Sequence, residues 1–95
     1  MNVLAVIPAY NEEEALGATV AGLVATCPEV DYLVIDDGSV DGTHDVCVSQ
    51  NLNYLRMPIN TGLSSVFRTG MKYALQHDYD AVVQRRGERL AKERE

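Results

Sequence analysis

A chain of 95 residues, 46% of them hydrophobic, has material for one small domain. It has no apolar run near the ~20 residues that cross a bilayer, and its opening run lacks the length and basic flank of a secretory leader. The net charge of −6 argues against nucleic acid as a partner, and it is unevenly spread: residues 1–84 carry three basic side chains (Arg56, Arg68, Lys72) against eleven acids, and residues 85–95 carry five against three.

Val3 to Ile7 reads as a strand buried on both faces, ended by Pro8. Asn11 then stands as a helix N-cap, and Glu12, Glu13 and Glu14 suit the positive end of the helix dipole. Ala15, Leu16, Thr19, Val20, Leu23 and Val24 recur at helical spacing up to Pro28. A second strand, Tyr32 to Ile35, runs into Asp36 and Asp37. Gly38-Ser39 and Asp41-Gly42 turn the chain, and Thr43 is placed to cap a short helix reaching Gln50. Asn53 to Met57 is a third strand ended by Pro58. After the Asn60-Thr61-Gly62 turn, Leu63, Val66, Phe67, Gly70, Met71, Ala74 and Leu75 give the clearest helical period in the chain. Gly70 inside that helix costs ~1 kcal/mol relative to Ala, which points to close packing on a strand. Asp78-Tyr79-Asp80 leads into a fourth strand, Ala81 to Gln84. The order β-α-β-α-β-α-β calls for a parallel sheet with right-handed crossovers.

Open α/β sheets place ligands at the carboxyl ends of their strands. Two adjacent acids at such an end project to opposite faces, so Asp36 and Asp37 cannot act as a pair on one bond; one faces the crevice and the other braces backbone. Tyr10 and Glu12 share that edge, where an aromatic ring and carboxylates can stack on a nucleobase and accept hydrogen bonds from base and ribose. An anionic ligand on so acidic a body needs a bridging cation, and a divalent metal is the candidate. His44 and His77 read as isolated side chains, and Ser64 and Ser65 as helix-start residues without a nucleophile elbow. Cys27 and Cys47 stand at no metal or redox spacing and read as free thiols, which favours a reducing, cytoplasmic setting.

Three motifs in order, Pro8-Ala9-Tyr10-Asn11-Glu12-Glu13, Val34-Ile35-Asp36-Asp37-Gly38-Ser39-x-Asp41-Gly42-Thr43, and Asn60-x-Gly62 followed by Arg68-x-Gly70, resemble the N-terminal half of family 2 glycosyltransferases. Those similar to dolichol- and polyprenyl-phosphate sugar transferases are included. The resemblance covers about residues 1–84, with Val66 where a smaller residue is expected. It implies half of a GT-A fold: a Rossmann-like, three-layer α/β arrangement of four mainly parallel strands, with the first strand between the second and fourth. It implies hexosyl transfer from a UDP- or GDP-sugar. Pro8, Tyr10, Glu12, Ile35 and Asp37 would line the nucleotide pocket, with Ala9, Asp36 and Gly38 completing the two segments and Asp37 on base or ribose.

The resemblance stops at Arg85. The family continues past the fourth strand with an Asp-x-Asp motif that holds Mn²⁺ or Mg²⁺; here Arg86 and Glu88 stand at those positions, and paired arginines oppose a cation. Residues 1–84 are therefore expected to be a truncated nucleotide-sugar-binding half, weakly active or inactive alone, and residues 85–95 a charged helical or disordered tail. A changed reading frame and a native short protein are both left open as the origin of this seam. The second reading is a non-catalytic interaction module, pairing with itself or another chain through the exposed edge of the fourth strand.

Overall fold

The computed structural model describes residues 1–85. Seven elements follow in strict alternation: β1 (Val3–Ala9), α1 (Leu16–Thr26), β2 (Asp31–Asp37), α2 (Thr43–Ser49), β3 (Tyr54–Met57), α3 (Leu63–Gln76) and β4 (Ala81–Gln84). The four strands form one parallel sheet in the order β3-β2-β1-β4, so the chain reverses direction across the sheet between β3 and β4. The first strand lies between the second and fourth, as expected.

The doubly apolar reading of β1 and β2 has a direct structural cause. Alternate residues of each strand enter two separate cores. Ala5, Ile7, Ala9 and Val34 pack with Leu16, Val20 and Leu23 of α1 and with Cys47 of α2. Leu4, Val6, Leu33 and Ile35 pack on the opposite face with Val66 and Ala74 of α3. Gly70 faces the same side, and a Cβ there would stand 2.6 Å from Cγ2 of the fully buried Val6. The helix glycine thus lets α3 settle on β1, as its position in the sequence suggests.

Two local expectations fail, for the same reason. Asn11 does not cap α1: it holds φ 53°, in the left-handed region, and the helix begins five residues later at Leu16. Pro8 does not end β1, which continues to Ala9. Thr43 is not the cap of α2 but its first residue, held by Asp41 two positions earlier. In each case a contact from a distant loop outweighs the local preference.

Candidate functional site

At the carboxyl end of the sheet, β1 and β2 run side by side, with Pro8 in register with Ile35 and Ala9 with Asp36. The loops that follow are clamped together by their own polar groups. Asn11 donates its N–H to Ser39 Oγ at 2.9 Å, and its Oδ1 accepts the Val40 N–H at 3.0 Å. Glu12 donates its N–H to Thr43 Oγ1 at 2.8 Å. Glu13 Oε1 accepts the Gly42 N–H at 2.7 Å. Asp41 Oδ1 takes both the N–H and the hydroxyl of Thr43. Burial raises the Asp41 carboxyl, but these bonds outweigh it and hold the group below its ordinary range.

The two adjacent aspartates go to opposite faces. Asp37 projects to the α3 side and accepts four hydrogen bonds: the N–H and hydroxyl of Thr61 on Oδ1, and the Gly62 N–H and Asn60 amide on Oδ2. These fill the acceptor positions of a carboxylate and place a negative charge at the start of α3, whose own N-cap, Gly62, has no side chain to serve. Gly38 makes this approach possible. Its φ is 73°, and a Cβ would run into the backbone of Ile59 and Asn60.

Asp36 projects to the α2 side and is 0% exposed. Its Oδ1 accepts the Ser39 N–H at 3.1 Å, whereas Oδ2 lies 3.8 Å from Arg56 Nε and has no hydrogen-bond partner among the described residues. Arg56 Nη1 lies 3.3 Å from His44 Nδ1, and His44 Nε2 lies 3.3 Å from the Tyr54 hydroxyl. His44 is therefore not isolated, since a polar chain runs from the buried carboxylate to the surface.

Of the expected site residues, Tyr10 is the open one: its ring is 46% exposed just past β1. Pro8, Glu12 and Gly38 are half-buried around the same edge, and Ala9, Ile35, Asp36 and Asp37 are buried beneath it. The structure thus brings all eight to one end of two adjacent strands. Sequence reasoning passed over the second tier that immobilises them, namely Asn11, Ser39, Thr43, Asn60, Thr61 and Arg56. One signal was available: α3 opens on Gly62 with no capping side chain, so its N-terminus needed an acceptor from elsewhere. Among the described residues, no three carboxylate, imidazole or thiol side chains converge in a way that could hold a metal. Arg86 and Glu88 lie outside the described residues, as does the tail beyond Arg85.

The chain matches the family model of Glycosyl transferase family 2 over residues 4–86. It is 36% identical over 89 residues to the undecaprenyl-phosphate mannosyltransferase of Micrococcus luteus, an alignment covering 88% of this chain and 37% of that protein. It is 31% identical over 87 residues to the polyprenol monophosphomannose synthase of Mycolicibacterium smegmatis, covering 85% and 33%. The chain therefore spans about a third of the length of these curated relatives. Among solved structures it resembles the mannosyltransferase PcManGT from Pyrobaculum calidifontis, in complex with GDP-Man and Mn²⁺, with a TM-score of 0.70 and 18% identity over 77% of this chain and 24% of that one. At that identity the likeness is one of fold.

Proposed function

The chain belongs to glycosyl transferase family 2, and from that premise we propose that its sheet edge binds the nucleotide of a nucleotide-diphospho-sugar, UDP- or GDP-linked. The observation that carries the reading is the pairing of an open aromatic ring with a rigid polar floor. Tyr10 stands free at the end of β1, over a loop pair whose backbone is fixed by bonds between residues 11–13 and 39–43. A nucleobase offers a flat face to stack on Tyr10 and N–H groups for carboxylates to accept. Glu12 and Asp37 are the acceptors in this proposal, with Pro8, Ala9, Ile35, Asp36 and Gly38 shaping the pocket around them. The mannosyltransferase names of the relatives, and the GDP-Man held by the solved neighbour, support a GDP-sugar over a UDP-sugar.

Hexosyl transfer also needs the leaving diphosphate neutralised, which Mn²⁺ or Mg²⁺ supplies when bound. The described residues assemble no donor set for such an ion, so we assign nucleotide recognition to this chain and weak or no transfer to it alone. The free thiols of Cys27 and Cys47 support a reducing, cytoplasmic setting. No helix among the described residues is long and apolar enough to cross a membrane. A second reading rests on β4, whose outer side is unpaired among the described residues: a module that associates through that edge, with itself or with another chain.

Calorimetric titration with GDP, UDP and their mannose and glucose conjugates, with and without Mn²⁺, tests the first reading. Saturable binding that Tyr10→Ala abolishes and Mn²⁺ leaves unchanged is expected. Absence of binding by every nucleotide would overturn it.

A further inference from the structure

The edge of β4 carries enough information to identify its occupant. The Ala81 N–H reaches Asn2 O at 3.3 Å and the Arg85 N–H reaches Val6 O at 2.9 Å, both toward β1. Strand periodicity then turns the main-chain groups of Ala81, Val83 and Arg85 inward and those of Val82 and Gln84 outward. No strand pairs with that outer side among the described residues. The usual guards of an open edge are missing within Ala81–Gln84, which contains no charge and no proline. Val83, on the face shared with Ala5, is 47% exposed.

Charge decides what can dock there. Asp78 and Asp80 precede the strand and Arg85 follows it, all three exposed. A parallel partner with the same sequence would set like charges side by side, and an antiparallel one sets each acidic start beside a basic end. We propose that β4 pairs antiparallel with β4 of a second copy, about a two-fold axis through Val83; this deepens the edge-association reading above. In that register Val82 of one copy and Gln84 of the other exchange N–H···O=C bonds, and symmetry repeats the pair. The two Val83 residues face one another at a non-hydrogen-bonded position. Arg85 lies opposite Ala81 of the second copy, one residue from its Asp80. The interface is isologous and closes at two copies. So short an edge gives a reversible, concentration-dependent dimer.

Sedimentation of the full chain from micromolar to millimolar concentration is expected to show a monomer–dimer equilibrium. Val82→Pro removes an outward donor without breaking a bond to β1, and is expected to weaken association about tenfold or more. Arg85→Glu is expected to weaken it as well, with Asp80→Lys in the same chain restoring it. In a Cys27→Ser background, Val83→Cys should form a disulfide-linked dimer under mild oxidation, because directly opposed residues meet at bonding distance, whereas Ala81→Cys should not. A chain that stays monomeric at every concentration would overturn the proposal. So would a dimer indifferent to Val82→Pro and Arg85→Glu, or one that Val83→Cys fails to link. Nucleotide titration of the same variants is a separate readout, so failure of the dimer and failure of the nucleotide site are distinguishable.

Discussion

Asp37 and Thr61 meet through two hydrogen bonds on one carboxylate oxygen: Oδ1 accepts the Thr61 N–H at 2.9 Å and its hydroxyl at 2.7 Å. With Gly62 and Asn60 on the other oxygen, the end of β2 becomes the N-terminal cap of α3, 24 residues later in the chain. The strand that delivers the acidic loop and the helix that supports it from below are thereby joined at one side chain.

This joint fixes a pH dependence. Burial pushes the Asp37 carboxyl up, but the Thr61 hydroxyl and the N–H groups of Thr61 and Gly62 outweigh it and hold the group below its ordinary value of 3.8. A lowered folded-state value means that the charged form favours folding. Its contribution is complete above the ordinary value and is lost as pH falls through the depressed one. Asp37→Asn should cost about 1–2 kcal/mol at neutral pH. In urea unfolding across the acid range, the gap between variant and parent should close as pH falls below the ordinary value. A gap of constant size would show that the charge on Asp37 is not what caps α3.

The contact of Gly70 with Val6 predicts an inverted helix-propensity effect. Gly→Ala inside an exposed helix face stabilises by about 1 kcal/mol, but here the new Cβ would lie 2.6 Å from Val6 Cγ2. Gly70→Ala should destabilise by roughly 1–3 kcal/mol. Combining it with Val6→Ala should cost less than the sum of the two single changes. Additive costs would mean that the helix and strand are not in contact.

Tyr79 donates its hydroxyl to Asp31 Oδ2 at 2.7 Å, tying the loop before β4 to the start of β2. That bond, with burial and the Asp31 charge behind it, raises the phenol from 10.0 to about 12. The raised value means that the tie is complete below the ordinary phenol range and is lost as pH rises through about 12. Ultraviolet titration should show one tyrosine ionising after the other four, and Asp31→Asn should remove its delay.

The alternation of elements was legible because each strand is a short apolar run stopped by Pro, Gly or Asp, and α3 shows its period plainly. β4 has the bounds its sequence suggests, and the meeting of Tyr10, Glu12 and the Asp36–Asp37 pair follows once the sheet is parallel. The roles of Asn11 and Thr43 were not legible. Both are good caps by local preference, yet their side chains serve bonds to residues about thirty positions away. The apolar stripe of α3 was also read too wide: Val66, Gly70 and Ala74 are buried, whereas Met71 and Leu75 stay in solvent. Periodicity reports which side chains could share a face, and only the docked sheet decides how far round the helix burial extends.

The most direct test of the nucleotide site is amide chemical-shift mapping on titration with GDP. The account predicts that the largest shifts fall on Ala9, Tyr10, Asn11, Glu12 and Gly38, with smaller ones at Asp37, Thr61 and Gly62 through the shared carboxylate. Shifts confined to β4, or to the exposed face of α3, would contradict it.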